Sequence, residues 1–327
     1  MSNKFKVQQG LTLVEMMVAM VISLFLSAGL FSMFTMSATN VVTTSQFNQL
    51  QENGRIALAL IERDISQLGF MADMTGTDFI VGTNTQIDAV AIPASDDCIG
   101  AGVNNASLPN NNPAHFRRLW GYEQGVSTES FACLTGVSAS TDVLQVKRLI
   151  GPSVAVPNDN NRYYMGTTAN EAVIFSGDQV TPVMDNARFW EYQHHIYYIQ
   201  EDDGVPVLRR RVLRRGGMKT SGSYEQLVEG IENMRVLYGF DNDGDDTADS
   251  FMPVQNVTNL MWDNELFQRL VALRIFLLVR AVNEDRSFTN QSSYQLGDKN
   301  IPATGDHFRR KVVSATIVLE NPVLIRN

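Results

Sequence analysis

The sequence predicts an α+β protein: one long N-terminal α-helix packed on a large antiparallel β-sheet head. Three observations predict it. An uncharged apolar run begins at residue 11 and, but for Glu15, extends to about Met36. No proline stands between Met1 and Ile92, so a helix begun in that run continues without a forced kink. From Phe70 onward, short alternating apolar segments are separated by turn-rich stretches, which is the period of strands.

The first element is a membrane-length segment. Lys4 and Lys6 precede Gly10, and no Lys or Arg follows until Arg55. A secretory apolar core runs ~7–15 residues and ends in a small-residue cleavage site. This run is about 20–26 residues, long enough to span a bilayer. The positive-inside rule leaves the N-terminus cytoplasmic and exports the rest. Glu15 is its only charge, and the next is Glu52. A carboxylate at membrane depth costs roughly 2.5–3.5 kcal/mol, so its presence implies a function and a partner. An ordinary signal-anchor gives Glu15 no purpose.

Beyond Asn40 the helix pattern becomes one-sided. Phe47, Leu50, Gly54, Leu58, Ile61, Ile65 and Leu68 recur at three- and four-residue steps. Glu52, Arg55, Glu62, Arg63 and Asp64 fall mostly between them, and Gly69 is placed to end the helix. The strand segments are Asp88–Pro93, Asp142–Ile150, Phe189–Ile199, Val207–Leu213, Leu227–Phe240, Leu266–Ala281 and Lys311–Leu319. In the last, Val313, Ala315, Ile317 and Leu319 share one face and Ser314 and Thr316 the other. Asn104–Pro113 and Pro157–Arg162 read as loops, and Asn283–His307 as a long polar excursion, functional or mobile. Alternation does not distinguish one sheet from two.

Composition narrows the function. The chain has 327 residues, 44% of them hydrophobic and 9% aromatic, which excludes wholesale disorder. After the N-terminal stretch roughly 250–290 residues remain, enough for a real core. A net charge of −9 argues against generic nucleic-acid binding. Two cysteines, Cys98 and Cys133, cannot build a cysteine zinc cluster. In an exported chain they read as a disulfide; the alternative is two buried free thiols.

The segment Gly10-Leu11-Thr12-Leu13-Val14-Glu15 and its apolar continuation resemble the class III signal of type IV prepilins and pseudopilins. The family usually has Phe after the cut and basic residues before the Gly; here these are Leu11, and Gln8 with Gln9. Three internal stretches look like the PilW family of minor pilins. They are Asn53-Gly54-Arg55 through Gly69-Phe70, Leu227–Asp241 leading into an acidic turn, and Phe308–Thr316. The resemblance implies cleavage between Gly10 and Leu11 by a prepilin peptidase and methylation of the new N-terminus at Leu11. It implies that Glu15 pairs with the terminal amine of a neighbouring subunit and sets register.

Other motifs are weighed singly. Asp241, Asp243, Asp245 and Asp249 stand at positions 1, 3, 5 and 9 of a loop, the alternation of a calcium site. Gly244 is at position 4 rather than 6 and Met252 stands where a bidentate Glu belongs, so a plain polar turn competes with that reading. Arg209, Arg210, Arg211, Arg214 and Arg215 form the densest basic run, read as a solvated face or intersubunit ion pairs ahead of DNA contact. His194 and His195 are neighbours on a strand, point to opposite faces and cannot readily share a metal. No GxSxG, HExxH, Walker or dinucleotide-binding motif is present, so an enzyme is not expected.

The resulting expectation is type IV pilin-like. Residues 1–10 are a leader, 11–69 the long helix with 11–36 in the membrane or filament core, and 70–327 an extracytoplasmic β head. By resemblance the chain is a minor pilin of a priming or tip complex. Its partners are other minor pilins, the major pilin, prepilin peptidase/methyltransferase, the inner-membrane assembly platform, a tip adhesin and membrane lipid, with no nucleic acid. It sits in the inner membrane before assembly and in the extracellular pilus, near its tip, afterwards. The alternatives are a J-type pseudopilin of type II secretion and a membrane-anchored periplasmic binding module or enzyme.

Overall fold

The computed structural model describes residues 12–321. The chain forms two compact units, Met1–Gln49 and Leu50–Asn327. Helix α1 (Leu13–Ile65) starts in the first and ends in the second. It stops at Ile65, earlier than expected, and a turn with Gly69 at φ +79° follows. A left-handed residue costs glycine little, which is why the helix ends here.

In the second unit the predicted stripe is largely the buried face. Leu50, Ile61, Ile65 and Leu68 are fully buried, Leu58 is half-buried, and Ala57 joins the core. Asp64 is the correction: placed among the solvated positions by sequence, it is buried. Gly54 lies where even a Cβ would be tight. A Cβ there would meet the Val313 side chain at 3.0 Å and that of Val279 at 3.1 Å.

The strands follow in order. They are β1 (Thr85–Ile87), β2 (Leu119–Glu123), β3 (Asp142–Ile150), β4 (Tyr163–Thr167) and β5 (Ala172–Ser176). Next come β6 (Arg188–Asp202), β7 (Val205–Val212), β8 (Tyr224–Glu229), β9 (Ile231–Asp241) and β10 (Ser250–Pro253). A short helix α2 (Asn259–Trp262), capped by the Thr258 hydroxyl, precedes β11 (Arg269–Arg280), β12 (Tyr294–Leu296), β13 (Lys299–Ile301) and β14 (Arg310–Val318).

Two main sheets result, with a separate β12–β13 hairpin. The larger runs β1-β5-β4-β6-β3-β2, with β7 on β6 and β8 on β7; its pairs are antiparallel except β1–β5. The smaller runs β10-β9-β11-β14, all antiparallel. Gly230, at φ +80°, divides Leu227–Phe240 into β8 and β9, which belong to different sheets. One continuous apolar run in sequence is thus two elements in space.

Further differences have local causes. Asp88–Pro93 forms no strand; the strand lies just before it, and the Asp88 and Ala89 N–H groups both donate to the Ile174 carbonyl. The excursion Asn283–His307 contains the β12–β13 hairpin and is pinned by backbone bonds such as Asn290 N–H to Asp306 O, 2.7 Å. The loop Asn104–Pro113 is largely buried as far as Pro109 and exposed from Asn111 on. The Asn105 side-chain oxygen accepts from Gln145 at 2.6 Å and from Lys147 at 3.0 Å. Cys98 and Cys133 form a disulfide, with Cα atoms 5.2 Å apart.

Gly54→Leu is expected to destabilise the protein. Leaving Gly gains a helix roughly 0.8–1 kcal/mol. Forcing methyl groups into a packed contact costs about 1–3 kcal/mol, so the contact wins. Thermal unfolding of the purified chain measures it, and an unchanged midpoint would contradict the close approach. Cys98→Ser with Cys133→Ser is expected to lose about 3–4 kcal/mol, the chain-entropy value for a loop of this length.

Candidate functional site

The N-terminal site is built by the start of α1. The Glu15 carboxylate accepts from the Thr12 N–H at 2.8 Å and the Thr12 hydroxyl at 2.9 Å. The Thr12 hydroxyl accepts the Glu15 N–H at 3.3 Å. This reciprocal pair is a capping box, satisfying donors at a helix start that have no partner within the helix. Gly10 and Leu11 lie outside the described residues.

From Leu13 to Met36 every large apolar side chain is exposed; Leu13 is 77% and Phe25 74% accessible. The helix reaches a mean hydropathy of 2.2 over an 18-residue window of which none is buried. Such a surface needs lipid or other helices to cover it.

The internal stretches that resemble the minor pilins converge on one seam. Asn53 donates its side-chain N–H to the Glu229 carbonyl at 2.9 Å. Gly54 lies under Val313 and Val279. Arg310 grips Glu232 at 2.5 and 2.8 Å. At Gly230 a Cβ would stand 2.5 Å from the Arg280 carbonyl, so glycine is required there by space as well as by φ.

Residues 196–321 match the family model described as Type IV Pilus-assembly protein W, and residues 5–31 match the Prokaryotic N-terminal methylation motif. The two matches together support a type IV pilus minor pilin of the PilW family. No curated protein and no solved structure matches it. The first match runs from within β6 past the end of β14, so it contains the whole smaller sheet. The second covers the prepilin-like signal, which supports processing by prepilin peptidase.

Of the four loop aspartates, the structure brings together Asp241, Asp243 and Asp249, with candidate ligand oxygens within 4.8 Å of one another. The Asp241 carboxylate also accepts backbone N–H groups of Gly244 at 2.6 Å and of Asp243 and Asp246 at 3.1 Å. Those bonds hold its carboxyl below the usual range. Asp245 instead accepts from Thr247, at 2.6 Å from its hydroxyl.

The basic run is engaged within the chain. Arg209 pairs with Asp202, Arg215 with Asp178, and Arg211 donates to the Met218 and Cys133 carbonyls. Arg210 and Arg214 share Glu225 at 2.6 and 3.2 Å. The two adjacent histidines have separate partners: His194 meets the Ser107 hydroxyl at 2.9 Å and His195 meets Asp64.

Sequence reading missed two buried ionic clusters. In the first, Asp64 accepts from Arg148 at 2.6 Å, from Tyr197 at 2.5 Å and from His195. Burial raises the Asp64 carboxyl, and these donors outweigh it, leaving it well below its usual value; burial pushes His195 down against the pull of Asp64. In the second, Arg235 binds Glu123 at 2.7 Å, Asp142 at 3.0 Å and Asp298 at 2.7 Å, and Lys299 binds Glu123 at 2.5 Å. Three carboxylates face two cations. Burial, with Glu123 adding to it, pushes the deepest acid, Asp142, up to about 7 against the pull of Arg235.

These shifts set a pH profile. The ionised Asp64 contributes stability present above its unfolded pKa of roughly 3.9, and lost as pH falls below it. Asp142 has the opposite sign: its contribution is present below roughly 4 and is lost as pH rises through about 7. Asp142→Asn is expected to remove the loss of stability between about pH 4 and 7. Denaturant unfolding at both pH values checks it; parallel profiles for the two proteins would contradict the assignment.

Proposed function

We propose that the chain is cut between Gly10 and Leu11, methylated on Leu11, and assembled with other minor pilins and the major pilin into the priming complex of the pilus, near its tip. Before assembly it is held in the inner membrane, with the N-terminus cytoplasmic and the head periplasmic. The observation that carries this reading is an exposed apolar helical segment, Leu13 to Met36, whose single charge, Glu15, is engaged by its own Thr12. A cap of neutral donors leaves the charge of Glu15 uncompensated. The freed amine of a neighbouring subunit is a cation of the right sign and size to compensate it in an oily surrounding.

Intact-mass measurement of the native protein is expected to show loss of residues 1–10 and one added methyl group. Glu15→Ala is expected to leave membrane insertion unchanged and to remove the subunit from sheared pili. Retained leader residues in cells with intact pili would overturn the processing, and normal incorporation of the variant would overturn the pairing.

The meeting of Asp241, Asp243 and Asp249 favours a second, smaller reading, a calcium site at the β9–β10 turn. Carboxylate oxygens suit this hard cation. Calcium is expected to raise the unfolding midpoint of the wild type and of Asp245→Asn, and to leave Asp243→Asn with Asp249→Asn unchanged. An equal midpoint in calcium and in chelator for the wild type would remove the site.

A further inference from the structure

Beside the end of α1 the head has a hollow of about 230 Å³ lined by Arg63, Arg148, Arg162, Arg210 and Arg214. Four of the five guanidiniums have acidic partners. Arg148 holds Asp64 at 2.6 Å, and Arg210 and Arg214 share Glu225. Arg162 holds Glu191 at 2.5 Å and Asp159 at 3.4 Å. Arg63 is exposed and has no ion pair among the described residues. Five cations therefore meet four carboxylates, a surplus of one, in a chain whose net charge is −9.

We propose that this hollow receives one carboxylate side chain, an Asp or Glu on an exposed segment of another pilin subunit. The surplus of a single positive charge matches a monoanion. Partly open guanidiniums, with Arg162 29%, Arg210 20% and Arg214 22% accessible, offer planar donors suited to a carboxylate. Leu60 and Val212 on the wall suit the methylene groups that carry it. A nucleic-acid backbone fits less well. Its repeated charges need a basic track, and a chain this acidic repels a polyanion at long range. The inference rests on the reading that the head meets other subunits. Leader cleavage is measured separately, so either can fail alone.

The test uses the full-length chain in neutral detergent and fluorescence anisotropy with three labelled probes. These are a capped Gly-rich octapeptide with one central Glu, the same peptide with Gln in its place, and a short oligothymidylate. The expected result is binding of the Glu peptide over the Gln peptide, weakened about fivefold or more by Arg63→Glu. Arg286→Glu, on another exposed arginine, is expected to leave it unchanged. Arg63 has no ion pair among the described residues to lose, so the variant is expected to unfold near the wild-type midpoint, lowered only by the reversed charge in the last turn of α1. No binding of the Glu peptide, equal binding of both peptides, or equal affinity in Arg63→Glu overturns the proposal. So does tighter binding of the oligothymidylate that Arg63→Glu abolishes, which would assign the hollow to nucleic acid.

Discussion

The backbone of α1 at Gly54 comes so near β11 and β14 that even a Cβ would press on Val279 and Val313, and the arrangement of the head depends on that contact. It sets the depth at which the helix enters the smaller sheet. The neighbouring bonds, Asn53 to Glu229 and Arg310 to Glu232, hold the same depth. Ten residues on, a rise of about 15 Å, Asp64 reaches the larger sheet through Arg148 on β3 and His195 on β6. One helix face therefore joins both sheets by two different kinds of contact. The first is steric and apolar, the second ionic.

The ionic contacts act differently from the apolar ones. A buried ion pair adds little net stability, because desolvating two charges offsets most of their attraction. Breaking one by removing a partner leaves a charge stranded, at roughly 3–5 kcal/mol. Asp64 and Arg235 each bind several partners drawn from separate elements, so they penalise every misplacement of those elements at once. Their contribution falls on the uniqueness of the fold more than on its depth.

Local pattern carried much of this architecture. The boundaries of β3 coincide with the alternating run read from sequence, and on β14 the polar Ser314 and Thr316 are exposed opposite a more buried Val313, Ala315 and Ile317. The helix face was legible because its period is local. What was not legible depends on distant partners. Asp64 reads as a solvated acid until Arg148, far along the chain, is folded against it. Leu227–Phe240 reads as one strand because apolar alternation persists across Gly230, although the chain changes sheets there. The hairpin in Asn283–His307 is polar because Asp298 and Lys299 are aimed at buried ions, and polar residues in sequence look the same whether they face water or a guanidinium. At the N-terminal site, the type and position of Glu15 were legible from its isolation among apolar residues, whereas its bond with Thr12 needed the helix start.

The bond between Cys98 and Cys133 makes the head sensitive to its redox surroundings. It ties the loop that packs on Gln145 and Lys147 to a carbonyl held by Arg211, so it closes a region of the head rich in irregular chain. Thiols stay reduced in the cytosol and oxidise outside it. A head kept in a reducing compartment therefore leaves this region uncrosslinked and looser. One that meets an oxidising compartment acquires the staple, and its thiol state then reports which of the two surroundings it has met.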